Sequence, residues 1–281
     1  MWKKFWFVSA RHGWLAWLDI TLPEDHLRRT TDGGRHWTEL PEIDTGFWKR
    51  LRFFDANVGY GLQSTSNGYQ FGTTTDGGKH WRFGGNVPLP AGLATFFFLD
   101  PRIGWLAGGG ATNNAPGLLR TTDGGATWQQ SRVPTGVRGY PSDLFFVDAD
   151  RGWTILWNGS DTATSTLLRT DDGGRTWSED RSWITSAPDE IIRQIRFVST
   201  NIGVLTALTY DDEPPTAITP CGDSNAPGSR PTFKSGLLTT LDGGRTWTRS
   251  QLAERTGSCQ VMEDNVWCTS ERDLLKIRIR P

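Results

Sequence analysis

Five carboxylates stand at matching places in this sequence, each followed by two glycines and then, five residues on, by a tryptophan: Asp32 with Trp37, Asp76 with Trp81, Asp123 with Trp128, Asp172 with Trp177 and Asp242 with Trp247. A carboxylate can serve as acid, base, nucleophile or cation ligand, and an indole face stacks on sugars, so the first chemistry to weigh is that of a carbohydrate-active surface. Spacing argues for a turn instead. A catalyst needs its groups once, converging on one point, whereas Thr31-Asp32-Gly33-Gly34-Arg35-His36-Trp37 recurs down the chain with its internal spacing intact. In a tight hairpin the Asp side chain accepts backbone N–H bonds, Gly supplies a positive φ, and Trp enters the next strand and buries its ring. These ten residues therefore read as structural.

The remaining reactive groups are sparse. His36 and His80 occupy a hairpin position where the other copies carry Thr, and read as exposed hairpin residues; His12 falls in a turn and His26 in the first long loop. No His-Glu-x-x-His or similar spacing occurs, so neither a metal site nor a cofactor is expected. Asp211, Asp212 and Glu213 read as a solvated loop rather than a calcium site. Cys259 and Cys268 flank a tight turn at Glu263 and Asp264, which sets them opposite each other, either as a disulfide or as small buried thiols, with Cys221 left over.

Thirty basic against 31 acidic side chains leave a net charge of −1, so no global field draws in nucleic acid or an anionic membrane, and any charged site must be local. No run approaches the roughly 18 apolar residues of a membrane span. The Trp-rich hairpins and the cysteine pair fit an exported location, periplasmic, lumenal or extracellular, with a leader outside this chain.

The elements that position these residues come from a second repeat. Phe53-Phe54-Asp55-Ala56-Asn57-Val58-Gly59-Tyr60 returns as Phe98-Leu99-Asp100-Pro101-Arg102-Ile103-Gly104-Trp105, with further copies starting at Phe7, Phe146 and Phe197. Each is an apolar strand, a polar turn and a Gly that opens another strand. Added to the Asp-Gly-Gly hairpin, this makes four strands per unit. The hairpin tryptophans lie 44, 47, 49 and 70 residues apart, the last interval holding a Pro-rich insertion at 210–234. That period is the signature of four-stranded propeller blades. The expected fold is a single all-β domain, a six-bladed β-propeller of antiparallel blades at about 1–40, 41–84, 85–131, 132–180, 181–250 and 251–281, the last lacking its fourth strand. Seven blades is the alternative.

The Asp-Gly-Gly-x-Thr-Trp hairpins at 172–177 and 242–247 resemble the Asp-box, or BNR, repeat of sialidase and sortilin-type propellers. Paired with Phe-x-Asp-x-x-x-Gly-Trp, they look most like the photosystem II stability and assembly factor family, whose members are propellers that scaffold assembly of a membrane complex. That resemblance implies a binding scaffold, although the family's photosynthetic members look seven-bladed and lack the 210–234 insertion. The sialidase resemblance would require an Arg triad, a Tyr–Glu nucleophile pair and an Asp acid. Only four tyrosines exist, and Tyr60 belongs to the repeat core.

Superimposing the first strands separates packing columns from a variable one. Phe7, Phe53, Phe98, Phe146 and Phe197 share a register, and so do Phe5, Leu51, Phe96, Leu144 and Ile195; the residue before the latter is polar in every copy, as Lys4, Arg50, Thr95, Asp143 and Gln194. First strands line a propeller's channel, so this ring is expected to crown its mouth. Trp2, Lys3, Trp48, Lys49, Arg52 and Arg196 would surround it, with Tyr140, Trp183 and the insertion overhanging. The function so read is non-catalytic: a monomeric, non-membrane platform recognising a protein or peptide at Lys4, Trp48, Arg50, Arg52, Asp143, Gln194 and Arg196. The alternatives are a channel merely solvated by these groups, or a sialidase-like glycoside hydrolase or carbohydrate-binding propeller.

Overall fold

The computed structural model of the protein describes residues 2–19, 24–41, 47–66, 68–89, 92–110, 116–157, 165–181, 191–210, 233–251, 256–262, 265–270 and 274–278. Trp183, Cys221 and nearly all of the insertion lie outside these residues, as do the side chains of Trp2, Lys3, Lys4, Lys49 and Tyr210.

Every described element is a strand. The first sheet is β1 (Trp2–Phe7), β2 (Gly13–Asp19), β3 (Glu24–Thr30) and β4 (Thr38–Glu39), paired in that order. The second is β5 (Phe47–Phe53), β6 (Gly59–Thr65), β7 (Gly68–Thr74) and β8 (Arg82–Val87), and the third is β9 (Gly92–Phe98), β10 (Gly104–Gly110), β11 (Pro116–Thr121) and β12 (Gln129–Gln130). The fourth comprises β13 (Tyr140–Phe146), β14 (Gly152–Trp157), β15 (Ser165–Thr170) and β16 (Ser178–Glu179). The fifth comprises β17 (Ile191–Phe197), β18 (Gly203–Tyr210), β19 (Phe233–Thr240) and β20 (Thr248–Gln251). A sixth sheet has three described strands, β21 (Thr256–Met262), β22 (Asn265–Ser270) and β23 (Leu274–Arg278). Each sheet is an antiparallel meander, and the first strands of successive sheets touch from β5 through β9, β13 and β17 to β21. This is the expected all-β propeller, with its inner strands facing a common centre. Among the described residues no helix is long and apolar enough to cross a membrane.

One aromatic contact joins sheet to sheet. Trp14 stacks on Phe53 of the next sheet with ring centroids 3.8 Å apart, Tyr60 on Phe98 at 4.3 Å, Trp105 on Phe146 at 3.4 Å and Trp153 on Phe197 at 4.3 Å, all within 13° of parallel. Each of these Phe rings also meets its own hairpin tryptophan edge-on and lies over the glycine paired with it across the first two strands. A Cβ at Gly104 would fall 2.5 Å from the Phe98 ring, which is why Gly precedes the stacking aromatic. Phe53, Phe98, Phe146 and Phe197 are accordingly 4%, 0%, 1% and 6% exposed, whereas Phe7 is 44% exposed.

The hairpins close as their sequence requires, with one participant the sequence reading overlooked. Both glycines of every copy take φ between 72° and 92°. Asp123 Oδ1 accepts from the Thr127 N–H and its Oδ2 from the Thr127 hydroxyl; at Asp32 and Asp76 the imidazole Nδ1 of His36 or His80 takes the place of that hydroxyl at 2.6 Å. The exposed histidines are thus stand-ins for Thr. Two residues before each Asp, Thr30, Thr74, Thr121, Thr170 and Thr240 are buried, accept the N–H of the second glycine and donate to the carboxylate. The hairpin tryptophan stands immediately ahead of the fourth strand rather than inside it; in the first two hairpins its indole N–H also ties back to the turn, from Trp37 to the Gly34 carbonyl at 3.0 Å and from Trp81 to the Gly78 carbonyl at 3.1 Å. In the sixth sheet Met262 pairs with Asn265 and Cys259 with Cys268, so the backbone register does oppose the two cysteines, whose side chains lie outside the described residues.

Two outcomes follow from this packing. Phe146→Ala should lower the urea-unfolding free energy by about 3–5 kcal/mol, as for a fully buried ring, and Phe7→Ala by less than half as much. The Thr127 and Thr246 hydroxyls and N–H groups hold Asp123 and Asp242 down to about 2, below the ordinary carboxylate range. A carboxylate with a depressed folded pKa contributes stability above its unfolded value of about 4 and loses it as pH falls toward 2. Thermal melts from pH 6 to pH 2 should therefore drop within that window, and Asp242→Asn should make the drop shallower.

Candidate functional site

The first strands enclose a cavity of about 740 Å³. Of the polar ring, Arg50, Thr95, Asp143 and Gln194 all line it, from β5, β9, β13 and β17 respectively, at register positions paired with Leu62, Ala107, Ile155 and Thr206. Lys4 holds the corresponding position opposite Ala16 in β1. Two residues further along the same faces come Arg52, Phe97, Phe145 and Arg196, which line it too. The two phenylalanines were missed in the sequence, although the column that contains Arg52 and Arg196 passes through them.

Trp48 lies elsewhere. β5, β13 and β17 each carry a β-bulge one residue before the polar ring, between Trp48 and Arg50, Pro141 and Asp143, and Ile192 and Gln194. The extra residue breaks the alternation, so the residue before it turns to the opposite face of the sheet. Trp48 thereby packs on Trp81 at 4.7 Å and Phe83 at 5.9 Å, over Gly61, inside its own blade. Pro141 and Ile192 are buried in the same way. The bulge residues of the other two strands, Ser142 and Arg193, line the cavity, and Arg193 is a cation the sequence reading left out. Tyr140 packs against Trp157 with ring centroids 6.1 Å apart and planes tilted by 41°, and does not line the cavity.

The charges are uneven. Arg50, Arg52, Arg193 and Arg196 face a described lining with one carboxylate, Asp143. That carboxylate is engaged: Oδ2 accepts from Arg196 Nη1 at 2.6 Å and from the Ile195 N–H at 3.0 Å. Arg52 rests between aromatic faces, its Cζ 4.9 Å from the Phe97 centroid and 5.2 Å from that of Phe54, and Arg196 lies 5.8 Å from that of Phe145. Burial, and then the charge of Arg196, push the Arg52 guanidinium below its usual value; at Arg50 burial acts in the same direction with Asp143 partly offsetting it. Arginine remains protonated under such pressure, so the arrangement holds excess positive charge against apolar walls, a setting that favours an anion. Among the described residues no three His, Cys, Asp or Glu side chains gather closely enough for a metal.

No protein-family model and no curated protein matches this chain. Solved structures match it in fold. A structure described as YCF48 bound to a D1 peptide superposes with a TM-score of 0.51 at 17% identity, over 99% of this chain and 92% of that one. YCF48 from Cyanidioschyzon merolae gives 0.52 at 14% identity, over 98% and 94%. The GH74 xyloglucanase of Xanthomonas campestris gives 0.63 at 14% identity, over 96% of this chain and 43% of the enzyme, so the chain spans less than half that enzyme's length. Likeness at these identities establishes the propeller and no more.

The Asp143–Arg196 pair can be tested directly. Asp143→Asn should lower stability by about 1.5–3 kcal/mol, the range for a hydrogen bond to a charged group. Added citrate should raise the melting temperature of this variant more than that of the parent, since the freed Arg196 joins the other cations; equal shifts would show that Arg196 does not contribute charge to the cavity.

Proposed function

We propose that this protein is a non-catalytic binding platform of Asp-box propeller type, whose central cavity recognises an acidic segment of a protein partner. The observation that carries this reading is the charge count at the cavity: four guanidinium groups against one carboxylate that Arg196 already occupies. Guanidinium groups pair with carboxylates in a planar, two-pronged geometry, and arginine backed by aromatic rings is a frequent energetic anchor at protein interfaces. A propeller similar in fold is described with a bound peptide, which is consistent with this use of the architecture. A glycoside hydrolase would need two carboxylates about 5–10 Å apart. The described lining supplies Asp143 alone, and an ion-paired carboxylate is a poor nucleophile or general acid.

The test is direct binding of a fluorescein-labelled Glu/Asp-rich peptide, followed by anisotropy at several salt concentrations. Arg50→Gln combined with Arg52→Gln should weaken it at least tenfold, with little change in melting temperature because these side chains lie at the cavity wall and not in the blade cores. Equal affinity in parent and variant would exclude the cavity as the site.

A further inference from the structure

Phe7 is the exposed member of its column, and among the described residues no ring is laid on it. Its four counterparts are each covered, flat on flat, by a Trp or Tyr of the preceding sheet. Phe7 has the same support from its own sheet, with Trp37 edge-on at 6.2 Å and 76° and Gly13 beneath it. Its ring is nevertheless 44% exposed, and among the described residues none stacks on it. This ring also lines the same cavity as Arg50, Arg52 and Arg196. Among the described residues, an aromatic face with no ring laid on it and a lining with more guanidinium groups than carboxylates therefore share one space.

We propose that the open face of Phe7 is the docking place for an aromatic side chain of the partner, so that the recognised segment is acidic and carries a Trp or Tyr among its carboxylates. The proposal rests on the reading of the cavity given above and specifies its ligand further. The fold itself shows what covers a Phe in this setting, four times over: an indole or phenol ring laid parallel at 3.4 to 4.3 Å. Offset stacking and the removal of both faces from water favour such a contact, and the neighbouring guanidinium groups select a segment whose flanking residues are anionic. A second copy of the chain is a poorer occupant, because bringing another Phe7 here would also bring another set of cavity arginines against these.

Two labelled peptides decide it, Glu-Asp-Glu-Trp-Glu-Asp-Glu and the same sequence with Ala for Trp, titrated against the full chain, Phe7→Leu and Arg52→Gln. The Trp peptide should bind about tenfold more tightly than the Ala peptide, a ratio in the range of one stacked, buried aromatic. Phe7→Leu should erase that preference while leaving the Ala peptide's affinity as it was, and Arg52→Gln should weaken both peptides. Two results overturn the aromatic subsite and leave the acidic-segment reading standing: salt-dependent binding of both peptides without preference, or a preference that survives Phe7→Leu. Binding of neither peptide overturns that reading together with the subsite. Sedimentation of the unliganded chain as a dimer that Phe7→Leu dissolves would assign the face to a second copy and also overturn the proposal. The Trp-over-Ala preference is read on the unaltered protein and so does not depend on how well a variant folds; Phe7→Leu, checked for an unchanged melting transition, then assigns it to this ring.

Discussion

The stacking of each second-strand aromatic on the first-strand phenylalanine of the following sheet is the contact on which the architecture depends. A single four-stranded sheet of this size cannot bury both of its faces, so it is stable only against neighbours. The stacked pair sets how close those neighbours come, and the glycine under each phenylalanine exists because a Cβ would occupy the ring's place. The Trp14 and Trp105 indoles extend the same joint by donating to the Gly77 and Gly173 carbonyls in the hairpin of the next sheet. Blade spacing, the glycine–aromatic pair and the inward position of the first strands thus have a common origin.

Each of the first five sheets closes around its own hairpin through a small polar network that also keeps titratable groups out of play. The carboxylates that look most available for chemistry in the sequence accept bonds from a backbone N–H, from a Thr two residues earlier and from a Thr or His four residues later. Groups so engaged are held ionised and have no lone pair aimed at a common point. Chemistry is displaced to the centre, where alternation along the first strands exposes one column of side chains after another to the cavity.

At that centre it is the composition of the lining, rather than the fold, that distinguishes one propeller from another. Propellers of this kind are similar to a peptide-bound protein and to a xyloglucanase alike. Arg52 and Arg196 stand on phenylalanine faces, and among the described lining residues the four arginines are opposed by a single engaged carboxylate, which gives the cavity a sign and a pair of apolar walls. Phe7, 44% exposed, extends the apolar part of that lining.

How much of this could be read from the sequence follows from how local each feature is. The hairpins, the column of phenylalanines, the glycines beneath them and the polar ring at Arg50, Thr95, Asp143 and Gln194 repeat at fixed internal spacing, so superimposing the chain on itself reveals them. The buried threonines before each Asp were equally visible as a column and went unread. Three things were decided only by the tertiary structure. The bulges turn Trp48 into its blade and Arg193 toward the cavity, and a bulge is defined by how a strand pairs with its partner, not by the strand's own residues. The Asp143–Arg196 pair joins residues on different sheets, and its geometry depends on how those sheets are stacked. The exposure of Phe7 is not visible in its column: the same residue in the same register is buried four times and exposed once. Periodicity specifies a unit and its contacts with the next one; whether a contact is actually made depends on the ring as a whole.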